Sequence, residues 1–271
     1  MTLVASDGGH LAALGQTVPR ESGYHVAQLL VNAHLGAEAE TETLASLLGA
    51  LAQAAGQRQT TRLYARVERD AAANEAFALA GFSPYKYESV YWLPHPLAEK
   101  PESNLPVRPQ ESKDAWGIYQ LYCSVTPRVV QQAEDTDASY WEIPSTSAGR
   151  ALQNVGEDRW ILEVDNCILG YVRTSRLSRR LSLMIHPGGY PYARRLIGFA
   201  LDNLRPPYAI RCSLPEYQGG LEEALGQLGF QYVGTQAALV RQIAGAVRAE
   251  NRAIRHVLEP TRGPVHTASG H

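Results

Sequence analysis

Apolar residues near the start of the chain recur with two spacings, one typical of strands and one typical of helices. In the segment 40–56, leucines stand three, four and seven residues apart, which places them on one helical face. The aromatic-rich segment 85–93 alternates instead, as a half-buried strand does. The pattern predicts, in chain order, strands at 3–6 and 24–31, a helix at 40–56, a strand at 62–67, a helix at 71–80 and a strand at 85–93.

A similar order of elements recurs in the second half, where it is preceded by two further helices. Asp165 and Asn166 separate two apolar runs and predict a hairpin turn. In chain order the pattern predicts a strand at 105–108, helices at 114–124 and 128–141, hairpin strands at 159–164 and 168–174, a strand at 181–186, a helix at 193–204, a strand at 208–213, a helix at 221–228 and a final strand pair within 231–243.

Two short matches support an internal duplication. Gly81-Phe82 and Gly229-Phe230 each follow a predicted helix, where the glycine suits a left-handed cap. Both the Gly-Phe pairs and the Glu-Ala pairs upstream of them stand 148 residues apart. Between the repeats, the segment 94–110 holds five prolines and has no apolar periodicity, which is typical of an extended linker. The chain is therefore expected to contain two related units.

Composition and charge narrow the classes of function. The 25 Lys and Arg residues nearly balance the 27 Asp and Glu residues, which argues against a general nucleic-acid binder. No apolar run is long enough to suggest a membrane span, and the first residues lack the pattern of a signal peptide. Three widely separated cysteines predict neither a disulfide framework nor a zinc site. We therefore expect a cytoplasmic protein without a metal site.

The segment 74–82, Asn-Glu-Ala-Phe-Ala-Leu-Ala-Gly-Phe, resembles the end of a GNAT (Gcn5-related N-acetyltransferase) domain, and the element order of the second half resembles the whole fold. The resemblance implies an α/β (α+β) protein of two GNAT-like units, each a twisted, mixed and mostly antiparallel sheet flanked by helices. The expected organisation is a partial unit at 1–93 that lacks the first strand and two helices, a linker at 94–103, a complete unit at 104–243 and a helical, then frayed, tail at 244–271.

The resemblance implies acetyl-CoA as a co-substrate, with its pyrophosphate on backbone N–H groups at the start of a helix. In the second unit the matching segment keeps two glycines and adds two arginines. Its expected cofactor-binding residues are Ile185, Gly188, Gly189, Tyr190, Tyr192, Arg194 and Arg195. The same residues are also consistent with a simple turn followed by a solvated helix face. In the first unit, Glu38, Glu40 and Glu42 crowd the equivalent position and would repel a pyrophosphate.

GNAT enzymes commonly use a tyrosine to protonate the departing thiolate, but Phe77 and Leu225 stand at the matching positions. Tyr217 is the candidate substitute in the second unit, and an ordinary surface or interface tyrosine is the alternative interpretation. His186 is expected as a general base, because histidine is the residue type best suited to proton transfer near neutral pH, and a His-Pro turn is the alternative. Glu163 is a third catalytic candidate.

Four aromatic side chains lie on the two predicted helices that border a GNAT acceptor site, where they suit either a substrate pocket or the core: Tyr119, Tyr122, Tyr140 and Trp141.

Two functions remain open at this point. The first is an acyl-CoA-dependent N-acyltransferase, most simply an acetyltransferase, that acts on a small-molecule or peptide amine in the second unit. A backbone N–H near Ile185 would polarise the thioester carbonyl. The second is a catalytically degenerate GNAT-like protein that binds a ligand or a partner. Neither interpretation calls for a nucleic-acid or membrane partner, and a homodimer is left open.

Overall fold

The computed structural model describes residues 1–7, 10–20, 22–32, 36–94, 106–143, 156–204 and 209–243. The strands are β1 (Thr2–Asp7), β2 (His10–Arg20), β3 (Gly23–Val31), β4 (Arg62–Glu68), β5 (Ser83–Leu93), β6 (Val107–Pro109), β7 (Glu157–Val164), β8 (Cys167–Ser175), β9 (Arg180–Ile185), β10 (Ile210–Pro215) and β11 (Gln231–Gln242). The helices are α1 (Ala37–Gly56), α2 (Ala73–Leu79), α3 (Ala115–Val125), α4 (Arg128–Glu134), α5 (Ala193–Leu204) and α6 (Glu222–Gln227). Short 3₁₀ turns span Ser112–Asp114, Ala138–Trp141, Pro187–Tyr192 and Glu216–Leu221.

All eleven strands form one sheet, in the order β1-β2-β3-β4-β11-β5-β10-β9-β8-β7-β6. Two neighbouring pairs are parallel, β3 with β4 and β9 with β10, and the other pairs are antiparallel. The predicted class, a mixed and mostly antiparallel sheet flanked by helices, is confirmed. The predicted linker beyond Pro94 and the predicted tail lie outside the described residues.

The two halves of the chain, 1–94 and 106–243, exchange their last strands. In the sheet, β11 of the second half lies between β4 and β5 of the first half, and β5 in turn lies between β11 and β10. Side chains follow the strands, since Ala237 and Leu239 belong to the apolar core of the first half. Tyr91 and Leu93 belong to the core of the second half. Each half is therefore completed by a strand of the other.

The exchange corrects the predicted strand pair within 231–243. This segment is one continuous strand, with irregularities in its pairing to β5 at Tyr232/Gly234 and Ala238/Leu239. The second strand that the sequence analysis expected beside it is supplied by β5 of the first half. A glycine in an apolar run thus marks a bulge here and not a turn.

Two further predictions are corrected. The helix predicted over 128–141 is broken, because Asp135 adopts left-handed backbone angles and ends α4. A 3₁₀ turn follows, capped by Asp137, whose side chain accepts from Ser139 N at 2.8 Å. The strand β2 was not predicted from the sequence; it pairs with both β1 and β3 and is covered by α1.

The helix predicted at 40–56 is confirmed as α1, and its leucines at positions 44, 47, 48 and 51 are buried against the sheet. Full burial of each such side chain contributes about 2 kcal/mol to folding. Within the described residues, no helix is both long and apolar enough to cross a membrane.

Candidate functional site

A polar cavity lies between one face of the sheet and the elements that cover it, which are α3, α4 and the turn Ala138–Trp141. It consists of two adjoining parts of about 470 and 690 Å³, which we call together the central cavity. Both parts are lined by Arg66, Lys86, Tyr122, Glu134, Tyr140, Trp141, Glu157 and Arg173. Because β4 and β5 come from the first half and β7 and β8 from the second, the cavity is built by both halves.

Strand alternation explains why a covered sheet face is polar. On β10, Ile210, Cys212 and Leu214 are fully buried in the core of the second half. The intervening residues Arg211 and Ser213 line the central cavity on the opposite face. Successive side chains of a strand point to opposite faces, so one strand serves both the core and the cavity.

A network of buried charges forms the floor of the central cavity. Lys86 Nζ lies 2.7 Å from Glu134 Oε1 and 3.2 Å from Glu88 Oε1. Glu88 Oε2 also accepts from Arg66 Nε at 3.0 Å and from Gln236 Nε2 at 2.6 Å. Arg66, Lys86 and Glu88 lie on strands of the first half, whereas Gln236 lies on β11 of the second half. The network therefore joins the exchanged strands electrostatically.

Burial and neighbouring charges act in opposite directions on the pKa values of this network. Burial alone would lower the pKa of Lys86, but the carboxylates of Glu134 and Glu88 outweigh it and hold that pKa well above its ordinary value. Burial would raise the pKa of Glu88, whereas Lys86 and Arg66 lower it from 4.5 to about 2. Both groups are charged at neutral pH.

Tyr217 and Gln218 lie at the edge of the central cavity, in the 3₁₀ turn that follows β10. Burial raises the pKa of Tyr217, so its hydroxyl keeps its proton at neutral pH. Gln218 is 2% exposed, and its Oε1 accepts from Ile185 N at 3.0 Å. The N–H that the sequence analysis assigned to a thioester carbonyl is thus bound by an amide carbonyl of the protein itself.

The other two catalytic candidates lie elsewhere. His186 and Glu163 line a separate groove of about 580 Å³ beside the start of α3, together with Arg108 and Asp114. His186 Nδ1 accepts from Gly188 N at 3.1 Å, which places the proton of a neutral imidazole on Nε2. Proton abstraction by Nε2 would need the other tautomer and would break this bond. The structure does not bring His186 and Glu163 together with Tyr217.

Arg108 fixes the groove by holding two carboxylates. Its guanidinium donates to both oxygens of Asp114, at 2.7 and 2.8 Å, and its Nε donates to Glu163 Oε2 at 2.7 Å. The hydrogen bond from Arg108, opposed by burial, lowers the pKa of Asp114. Glu163 thus contributes to a structural clamp between β6, β7 and the start of α3.

Replacing Arg108 with Ala should lower the free energy of unfolding by about 2 kcal/mol, because it leaves the buried carboxylate of Asp114 without its charged partner. Urea denaturation of the variant measures this loss. Lys113→Ala is the matched control, since Lys113 forms an exposed ion pair with Glu111 and its removal should leave stability unchanged. Equal stability of the wild type and the Arg108 variant would contradict the clamp.

Backbone N–H groups of the predicted pyrophosphate loop donate to acceptors within the loop itself. Besides the bond from Gly188 N to His186, Gly189 N donates to His186 O at 2.7 Å. The N–H of Ala193 donates to Tyr190 O. A Cβ at Gly189 would lie 2.9 Å from Leu169 O, so glycine is needed here for close packing. The two glycines shape a turn, which is the alternative that the sequence left open.

The remaining residues of the predicted loop take different positions. Tyr190 and Tyr192 pack against the core of the second half, and the ring of Tyr190 lies over Gly220, where a Cβ would come within 2.4 Å. Arg194 is exposed and Arg195 is half-buried on the first turn of α5. The contact between Tyr190 and Gly220 closes the gap between the loop and the turn after β10.

The equivalent region of the first half is organised differently. A small cavity of about 260 Å³ lies between β3 and β4 and is lined by Phe77 among others. Glu38 and Glu40 occupy the first turn of α1, as expected, whereas Glu42 lies beyond that turn because the helix begins at Ala37; Phe77 is buried. Within the described residues, no group of three or more His, Cys, Asp or Glu side chains is arranged to hold a metal ion.

Similarity to known proteins is found in the fold alone. No family model and no curated protein matches the sequence. A tandem GNAT protein from the clavulanic acid biosynthesis pathway is 14% identical with a TM-score of 0.52, over 89% of this chain and 83% of that chain. A GCN5-related N-acetyltransferase from Sphaerobacter thermophilus is 12% identical with a TM-score of 0.55, over 87% and 78%. A putative acetyltransferase from Pyrococcus horikoshii is 13% identical with a TM-score of 0.55, over 89% and 73%.

Proposed function

We propose that this chain, which has the GNAT fold, is an acyl-CoA-dependent N-acyltransferase that acts on a small amine. In this proposal the amine occupies the central cavity, and the acyl group enters where β9 and β10 separate. The observation that carries the proposal is the hydrogen bond from Ile185 N to the amide oxygen of Gln218. It marks a buried N–H beside the cavity that binds a carbonyl oxygen.

The separation of the two strands supports this position for the acyl group. β9 and β10 pair at two positions, Arg180 with Arg211 and Leu181 with Cys212. Four residues further along β9, the N–H of Ile185 no longer meets β10 and donates to Gln218 instead. Because a buried N–H needs an acceptor, Gln218 supplies one until a thioester carbonyl takes its place.

The side chains around this point allow a direct transfer. The amine nitrogen attacks the thioester carbon, the carbon–sulfur bond breaks, and the oxygen that gains charge is stabilised by the N–H of Ile185. The departing thiolate takes a proton from Tyr217, whose raised pKa keeps its hydroxyl protonated at neutral pH. The amine attacks in its unprotonated form, and the proton that its nitrogen loses as the amide forms returns to the phenolate of Tyr217. His186 and Glu163 hold the neighbouring loop and strand in this scheme and do not touch the reacting atoms.

Calorimetric titration with acetyl-CoA tests the proposal. The wild type is expected to bind, and Gln218→Ala is expected to bind about tenfold more tightly, because the competing amide is gone while the Ile185 N–H remains. Tyr217→Phe should bind equally well and lose about a hundredfold in turnover with an accepted amine. Arg128→Ala, an exposed arginine on α4, is the control for unspecific charge effects. Absence of heat with both the wild type and Gln218→Ala would exclude the transferase.

A second candidate function is a binding protein that has lost acyl transfer. The closed loop favours it, since the N–H groups of Gly188, Gly189 and Ala193 all have partners within the loop and Tyr190 packs on Gly220. Arg194→Ala together with Arg195→Ala distinguishes the two functions. A transferase that holds the pyrophosphate at α5 should lose acetyl-CoA affinity at least tenfold in this variant, whereas a binding protein has no such affinity to lose.

A further inference from the structure

We infer that the ligand of the central cavity carries a carboxylate or phosphate group, which Arg173 and Arg211 bind on either side of β9. The inference concerns the class of ligand. It rests on the proposed function only in calling that ligand the acceptor amine, and it holds equally for a binding protein.

Cationic side chains outnumber carboxylates on the walls of the central cavity. Among the described residues, six cationic side chains line it and three carboxylates do. The cations are Arg66, Lys86, Arg159, Arg173, Arg180 and Arg211, and the carboxylates are Glu88, Glu134 and Glu157. The excess of positive charge in a partly enclosed space favours an anionic ligand.

The ion pairs within the central cavity use up its carboxylates. All three carboxylates already have cationic partners: Glu88 has Arg66 and Lys86, Glu134 has Lys86, and Glu157 has Arg159 at 3.4 Å. Within the described part of the chain, Arg173 and Arg211 form no ion pair with a carboxylate. Two guanidinium groups thus line the cavity without a carboxylate of their own.

The neighbours of these two arginines leave part of each guanidinium for a ligand. Arg211 donates from Nη2 to Gln236 Oε1 at 2.7 Å, and its Nε has no hydrogen-bond partner. Arg173 interacts with the side chain of Tyr140. Neither of these two partners carries a charge at neutral pH. The carboxylate of Glu157 also attracts Arg173, but it is paired with Arg159, so neither guanidinium group has a carboxylate to itself.

Strand register places both arginines on the same sheet face. Arg173 on β8 stands directly opposite Ser182 on β9, and Arg211 on β10 stands opposite Arg180 of the same strand. Ser182 and Arg180 are two residues apart and share a face. β8 and β10 lie about 10 Å apart across β9, a span that two arginine side chains can close around one small anion. Ser182, on the intervening strand β9, also lines the cavity and offers a hydroxyl donor.

The cavity also suits the rest of such a ligand. Tyr140 and Trp141 present aromatic rings, packed at 4.8 Å between centroids, beside Arg173. The carboxylates of Glu134 and Glu157 also line the cavity. Because Lys86 and Arg159 already neutralise these two carboxylates, the aromatic rings are the feature that suits the remainder of a small acidic ligand.

Thermal unfolding with four matched probes tests the inference without acyl-CoA. The acidic probes are L-glutamate for a carboxylate and O-phospho-L-serine for a phosphate, and the neutral probes are L-glutamine and L-serine. At a concentration well above the dissociation constant, at least one acidic probe should raise Tm by about 2 to 4 °C, and the neutral probes should not. The acidic probe that acts identifies the anion.

Arg173→Gln and Arg211→Gln should each weaken binding of that probe at least tenfold, as measured by calorimetry, while Arg128→Gln on α4 should not. Circular dichroism checks that the variants are folded. The inference is overturned if no acidic probe raises Tm, if glutamine or serine acts equally, or if both arginine variants bind as the wild type does. Because acyl-CoA is left out, failure of acetyl-CoA binding would sink the transferase and leave this site intact, and the reverse holds as well.

Discussion

Deletion of residues 231–243 is expected to unfold both halves of the protein, although the deleted segment belongs to the second half alone. β11 lies in the middle of the sheet and pairs with β4 on one side and β5 on the other. Its removal exposes two strand edges and takes Ala237 and Leu239 out of the core of the first half. The combined loss exceeds the roughly 5 to 15 kcal/mol by which a typical domain is stable. Circular dichroism and limited proteolysis measure the outcome.

A matched deletion at the edge of the sheet is the control. Removal of residues 2–7 takes away β1, which pairs with β2 alone. This variant should lose stability and still unfold cooperatively, because the deletion only makes β2 the new edge strand and leaves the middle of the sheet and both apolar cores in place. If the first half stays protected from protease after deletion of 231–243, the exchange of strands does not support its fold.

Complementation tests the same feature from the opposite direction. The separate fragments 1–94 and 106–243 each carry a strand that the other half needs. They should therefore assemble into a one-to-one complex when refolded together, whereas each alone should lack a stable tertiary structure. Independent folding of either fragment as a monomer would argue against the exchange.

The sequence predicted the order of most elements, but it did not show which strands pair across the two halves. Alternation at 85–93 and 231–243 shows that each segment has a face to bury. The pattern does not say which neighbour covers that face, because pairing across more than a hundred residues leaves no local signal. A long strand with a bulge at Gly234 and a pair of strands with a turn therefore look alike in sequence. The exchange could be found only from the structure.

The sequence indicated some of the residues that line the central cavity and missed others. Tyr217 was found because it stands near a position where GNAT enzymes use a tyrosine, and it does line the central cavity. Gln218, directly beside it, was missed because a glutamine in a loop carries no signal of burial. Lys86 and Glu88 were also missed, although two charges at alternate positions of an aromatic-rich strand are a usable signal of a polar, covered face.

Glu88→Gln is expected to lower the free energy of unfolding by about 3 kcal/mol at neutral pH, with a loss that depends on pH. The carboxylate of Glu88 is 3% exposed and holds Arg66, Lys86 and Gln236, which lie on β4, β5 and β11. The neutral amide cannot compensate the two cations. Urea denaturation between pH 2 and pH 7 measures the difference between the variant and the wild type.

The sign of the pH dependence follows from the direction of the shift. Burial would raise the pKa of Glu88, but Lys86 and Arg66 lower it from 4.5 to about 2 in the folded state. A lowered folded-state pKa stabilises the protein above the pKa of the unfolded chain, and this stabilisation is lost as pH falls through the interval between the two values. The difference between the wild type and Glu88→Gln should therefore be full above about pH 5 and shrink toward zero near pH 2.

Glu75→Gln on α2 provides the control, because Glu75 is exposed and the difference in free energy of unfolding between this variant and the wild type should stay near zero across the same pH range. A difference between the wild type and Glu88→Gln that stays constant from pH 7 to pH 2 would mean that Glu88 acts through shape and not through charge. In that case Glu134 on α4 would have to compensate the charges of Lys86 and Arg66 alone. Its Oε1 lies 2.7 Å from Nζ of Lys86 on β5. The ion network would then join α4 to the sheet and not the exchanged strands to each other.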